Sequence, residues 1–175
     1  MTPYYQDDQV TLYHGDALEI TRWLAADVLV TDPPYGRNWR QGNLKGHTGN
    51  SDAHTGIAND EDTSHRDRAL ELWGTTRSAI VFGDLTLPPP PGVKLTCVYQ
   101  KDVTCGLRGA IGGVRRDAEA IYLIGPWPSG IGGRSSVFAT RRQITGAHGA
   151  VAANGGHPHT KPGDVMEALI SMCPP

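Results

Sequence analysis

The sequence predicts an α/β domain built on a mixed sheet. Two apolar runs, "VLVT" at 28–31 and "SAIVFGD" at 78–84, suit strands covered on both faces. Helical patterns stand between and after them, at 63–74 and from Pro162 onward. Two alternating runs, "KLTCVYQKD" and "EAIYLIG", read as antiparallel strands at a sheet edge. Strands interleaved with helices are the signature of an α/β sheet.

In chain order, residues 10–13 (VTLY) suit a short strand. "GDALEITRWL" predicts a helix opened by Asp16 with Glu19 three residues on, as in a capping box, and with Ala17, Ile20, Trp23 and Leu24 on one face. The strand at 27–31 follows. Residues 36–62 are polar and rich in Gly, Asn, Asp and His without apolar periodicity, so a mobile loop acting as a lid is expected. The helix at 63–74 turns Ala69, Leu70 and Trp73 inward, and Pro88–Pro91 make a stiff connector after the second strand. Residues 125–160 are rich in Gly and Ser, with only "SVFAT" resembling a strand. Pro162 suits the first turn of a last helix, whose stripe is Val165, Met166, Leu169 and Ile170.

The chain has 175 residues, 38% hydrophobic and 19% charged, which fits one globular domain over 1–175. No apolar run approaches the roughly 20 residues that cross a bilayer, and the N-terminus has no secretory pattern, so no membrane partner and a cytoplasmic location are expected. Cys97, Cys105 and Cys173 contain no close pair and read as reduced thiols. His47, His54, His157 and His159 lack metal-ligand spacing, so no metal is expected. The absence of a G-x-x-x-x-G-K-[ST] loop removes ATP hydrolysis. Net charge is −2, yet no acid occurs between Glu119 and Asp164, where Arg134, Arg141, Arg142 and Lys161 fall. That arc predicts a locally positive surface.

The chemistry concentrates where the first buried strand stops, at Asp32-Pro33-Pro34-Tyr35. Each proline fixes φ, removes an N–H and pushes its predecessor towards an extended conformation. The strand cannot run on into a helix. It ends in a stiff projection carrying a carboxylate, unpaired carbonyls and a ring, at the end of a strand where open α/β sheets place ligands. A plain strand-ending turn, with Asp32 satisfying local N–H groups, is the competing reading. Asp84, after the second strand, reads as a turn residue.

With Asp32–Tyr35 near one end and "HPHTKPGDVMEALI" at 157–170 near the other, the chain resembles the amino-methylating DNA methyltransferases. "GDALEI" and "RRDAEAIYLIGPWP" extend the likeness over nearly the whole chain. The resemblance implies a Rossmann-like fold dependent on S-adenosylmethionine, and methyl transfer to the N6 amine of adenine in double-stranded DNA. It implies a catalytic set of Asp32, Pro33, Pro34 and Tyr35. The Asp32 carboxylate and the Pro33 carbonyl would take the two N–H hydrogens of the amine, exposing its lone pair. Tyr35 would stack on a base flipped from the duplex. Fixed acceptors aimed at developing positive charge are a positioning and electrostatic device. On the cofactor side the resemblance implies Asp16, Asp32, His157, Thr160, Lys161 and Pro162. DNA contacts are expected from Arg134, Arg141 and Arg142, with Arg37 and Arg40 of the loop as further candidates. The resemblance implies that the 125–156 stretch is a short target-recognition region, with DNA methylation within restriction-modification as the setting.

Relatives in this order continue beyond the Lys-Pro helix with a strand, Asp-Pro-Phe and a Gly-x-Gly turn. No segment of residues 1–175 matches it; "SGIGGR" and "NGGH" lack a preceding strand and acid. The sheet is therefore expected to be incomplete. The strand at 27–31 should have an unpaired edge, and the chain should form a homodimer or take a second chain to complete the sheet. The alternatives are cytosine-N4 methylation, disfavoured by the acid at 32 where relatives acting on cytosine often carry serine, and a non-catalytic DNA-binding remnant.

Overall fold

The structure, a computed structural model, describes residues 2–39, 56–101, 110–140 and 160–174. A small antiparallel pair, β1 (Tyr5–Gln6) and β2 (Thr11–Leu12), precedes a 3-10 turn at Thr21–Ala25 and β3 (Leu29–Thr31). Helix α1 (Ser64–Trp73) leads to β4 (Ala79–Gly83), β5 (Val93–Gln100), β6 (Ala118–Ile124) and β7 (Val137–Ala139). Helix α2 (Gly163–Ile170) closes the described chain. None of the described helices is long and apolar enough to cross a membrane.

The main sheet has five strands in the order β3-β4-β6-β5-β7. β3 runs parallel to β4, β6 is antiparallel to both β4 and β5, and β7 is parallel to β5. The mixed sheet is as expected, with one correction. Neither β5, which lies between β6 and β7, nor β6, between β4 and β5, is at an edge, and Ala120–Ile124 of β6 are buried. The alternating look of β6 came from Asp117 and Glu119 at the strand's entrance; beyond them the run is apolar on both faces. Strand β3 pairs with β4 alone, so its outer edge has no strand partner among the described residues.

The pleat divides the core into two layers. Ile80, Phe82, Cys97, Tyr99, Ile121 and Leu123 pack with Val165 and Leu169 of α2. On the other face Ala79, Val81, Ala120, Tyr122 and Ile124 pack with Leu70 and Trp73 of α1. Of the expected α2 stripe, Val165 and Leu169 are buried and Met166 packs at the margin, whereas Ile170 is 55% exposed. The helix ends at Ile170, and Met172 and Cys173 cover the core beside it instead.

The helix expected from Asp16 does not form. The Asp16 carbonyl accepts the N–H groups of Glu19 and Ile20, but Ile20 then leaves helical space at ψ 85° and a short 3-10 turn follows. Two β-branched residues, Ile20 and Thr21, stand at the break. The Trp23 indole reaches back to donate to the Ala17 carbonyl at 2.8 Å, which fixes the turn in place of a further helical one. Asp16 does cap locally, accepting Leu18 N–H at 2.8 Å.

Candidate active site

β3 delivers Asp32–Tyr35 to one wall of a cavity of about 310 Å³, which Arg37, Trp39, Ile57, Asp60, Lys101, Glu119 and Lys161 complete. The corner is held by a carboxylate the sequence reading did not single out. Buried Asp60 accepts the backbone N–H groups of Gly36 at 2.7 Å, Arg37 at 3.3 Å and Trp39 at 2.8 Å. Its own carbonyl accepts from Asn38. Gly36 has φ +82°, and a Cβ there would lie 2.6 Å from the Asp62 carbonyl carbon, so the turn needs glycine. The tight return after Tyr35 is therefore locked by one side chain from the far end of the 36–62 segment; residues 40–55 of that expected loop lie outside the described ones.

Inside the cavity five side chains from four segments meet. The Tyr35 hydroxyl donates to Asp32 Oδ1 at 2.8 Å, with Glu119 Oε2 as a second acceptor at 3.1 Å. Lys161, which immediately precedes Pro162 and α2, donates to the Tyr35 oxygen at 3.1 Å. Its Nζ also lies 2.9 Å from Asp32 Oδ2 and 3.1 Å from Glu119 Oε2. Lys101, just after β5, meets the other Glu119 oxygen at 2.5 Å. Two carboxylates thus face two ammonium groups. The Lys161 ammonium also stands 4.9 Å above the Phe82 ring, a cation–π distance.

Burial separates the members. Asp32 is 38% exposed at the mouth, whereas Glu119 and Lys161 are 12% and 11% exposed beneath it. Burial alone would raise the Glu119 carboxyl, but Lys161 and Lys101 outweigh it and hold it below its ordinary range. Burial, then the negative charges of Glu119 and Asp32, push the Tyr35 phenol well above its usual value, so it stays a neutral donor. A neutral hydroxyl between two carboxylates, bridged by a shared ammonium, makes a polar floor under an accessible carboxylate.

The other expected residues are distributed as follows. Thr160 and Pro162 flank Lys161 at the start of α2, Thr160 exposed and Pro162 buried. Asp16 stands apart from the cavity, with His65 Nε2 3.3 Å from its carboxylate. Arg37 is ion-paired with Asp84 at 2.6 Å, and Asp84 also accepts Thr86 N–H at 2.7 Å, as a turn residue does. Arg134 binds the C-terminal end of α2, donating to Ser171 Oγ at 2.9 Å and to the Ser171 carbonyl at 3.4 Å. A cation suits that end of the helix dipole. His157, Arg40, Arg141 and Arg142 lie outside the described residues, as do 141–156 of the expected recognition region. No group of three or more potential metal ligands occurs among the described residues.

Glu119 and Lys101 escaped the sequence reading because their meeting depends on the β5–β6 register. Tyr99 faces Glu119 in the ladder, which brings Lys101 alongside. A lone acid leading into an apolar strand was the signal available.

Two comparisons, with protein-family models and with curated proteins, found no match for this chain. Among solved structures it is similar to one described as the crystal structure of an M1.HpyAVI–SAM complex, at a TM-score of 0.50 and 16% sequence identity. The alignment covers 93% of this chain and 76% of that one. The β3-β4-β6-β5-β7 sheet and this likeness together give the chain a Rossmann-like fold.

Proposed function

We propose that the chain is a DNA methyltransferase that uses S-adenosylmethionine to methylate the N6 amine of adenine. The observation that carries this reading is the Asp32–Tyr35 corner at the end of β3, with Lys161 brought onto the same carboxylate. Two sequence segments that resemble one family's catalytic and cofactor elements meet in one cavity. That the solved structure it resembles was obtained with SAM supports the choice of donor.

Asp32 offers an accessible carboxylate at the mouth, its charge shared with Lys161, and the Tyr35 ring forms part of the wall. Thr160, Lys161 and Pro162 would hold the donor at the start of α2, with Asp32 at the shared boundary. When bound, S-adenosylmethionine supplies an electrophilic methyl group. The chain's own task is to prepare the amine. Asp32 would accept one N–H and the Pro33 carbonyl the other, so that the nitrogen lone pair is released from the ring. The Tyr35 hydroxyl is engaged below, which anchors the ring that would stack on the flipped base. Arg37 and Arg134 already hold protein partners, so the phosphate contacts are placed first on Arg141 and Arg142.

The test is incubation with isotopically labelled S-adenosylmethionine and mixed-sequence duplex DNA, followed by digestion to nucleosides. Label in N6-methyladenine supports the proposal. Label in N4-methylcytosine transfers it to the other base, and absence of label in DNA overturns it.

A further inference from the structure

The cavity contains an internal competition that the reaction has to resolve. Both Asp32 oxygens face groups of the chain itself: Oδ1 accepts from Tyr35 at 2.8 Å and Oδ2 stands 2.9 Å from Lys161. An ammonium has three donors. Those of Lys161 face three acceptors, namely Asp32, Glu119 and the Tyr35 oxygen. Each Asp32 oxygen keeps a further lone pair, so an incoming amine competes for the carboxylate's charge with an ammonium that is largely desolvated.

We propose that Glu119 is a positioning residue that retains Lys161 while Asp32 turns to a nucleobase amine. The inference rests on the function proposed above. Glu119 is on β6, in the rigid interior of the sheet, whereas Asp32 is on the exposed corner, so the two anions differ in freedom. When Asp32 engages an amine, Lys161 keeps a charged partner at 3.1 Å and a neutral one in Tyr35. Without the Glu119 charge, Asp32 would be the one anion left beside Lys161 in this cluster, and a desolvated ion pair would close over the acceptor. Lys101 tunes the balance. At 2.5 Å from Glu119 Oε1 it draws off part of the negative charge that would otherwise hold Lys161.

The competition can be measured without methyl transfer or knowledge of a recognition sequence. Adenine and purine, which lacks the exocyclic amine, are titrated as free bases and followed by heteronuclear NMR, with thermal melting as a folding control. The wild-type chain should prefer adenine. Glu119→Gln should weaken adenine about tenfold and leave purine unchanged. Adding Lys161→Met to that variant should restore the preference, because the blocking ammonium is gone. Lys101→Met, at a partly exposed position, should move the other way and tighten adenine about twofold, which keeps the test alive should Glu119→Gln not fold. Equal loss of both bases in Glu119→Gln, persistence of the defect in the double variant, or no gain in Lys101→Met would overturn the inference. A wild-type chain that binds neither base would overturn the proposed function and this inference with it, whereas a preference for adenine that survives Glu119→Gln overturns the inference alone.

Discussion

The Lys161 ammonium stands 2.9 Å from the Asp32 carboxylate, bridging the start of the last helix and the end of the first core strand. Neither segment defines a site alone. Asp32 without Lys161 is a carboxylate on a turn, and Lys161-Pro162 without Asp32 is a helix start. The sheet brings them together because β4 and β6 form a rigid floor, carrying Phe82 under the ammonium and Glu119 beside it.

Asp60 should prove structural and local in its effect. Asp60→Ala leaves three backbone N–H groups of the 36–39 turn without their acceptor, and should cost about 2–4 kcal/mol in denaturant unfolding. Asp60→Asn retains one oxygen acceptor and should cost less. Equal, negligible losses would show that water replaces the carboxylate freely.

Neighbouring positions in α2 should respond very differently. Leu169 is fully buried and Ile170 is 55% exposed. Leu169→Ala should destabilise by about 2–5 kcal/mol, and Ile170→Ala by well under about 1 kcal/mol. Equilibrium unfolding of the two variants decides it.

Periodicity made both residues look inward, and the difference shows what the sequence could and could not convey. Local signals were reliable where the chain's own stiffness set the outcome, as at Asp32-Pro33-Pro34-Tyr35 and at the Pro162 helix start. α1 followed from helical spacing, β4 from an apolar run, and β5, β6 and β7 from short strand-like runs bounded by turns. The helix expected after Asp16 failed because the tertiary fit of Ile20 and Trp23 overrode a good cap. Glu119, Lys101 and Asp60 were illegible for another reason. Each acts on a residue from a separate segment, and the contact exists only once the sheet register and the 56–62 return are in place.

The Glu119 ionisation should be visible in stability against pH. Its folded-state value is depressed, so the stability it adds is fully present above the unfolded value near 4.5 and is lost as pH falls through the folded one. The melting-temperature difference between wild type and Glu119→Gln should therefore be flat above about pH 5 and shrink below it. A difference that grows on acidification would contradict the pairing with Lys161 and Lys101.

Phosphate contacts should reside in the acid-free arc. Arg141→Ala with Arg142→Ala should weaken DNA binding across all sequences and reduce the slope of log affinity against log salt by about 1 to 2. Arg37→Ala, which breaks the ion pair with Asp84, should lower thermal stability while changing that slope less. An unchanged slope in the double variant would move the contact to the Arg37–Lys45 stretch.

The most direct measurement is the methyl-transfer rate of Asp32→Ala beside wild type, with DNA affinity determined on the same preparations. Removing the acceptor for the reacting amine should slow transfer by about 10²-fold or more, leaving DNA affinity and melting temperature close to wild type. Methyl transfer by Asp32→Ala at the wild-type rate would contradict the account, because the reacting nitrogen would then be activated elsewhere.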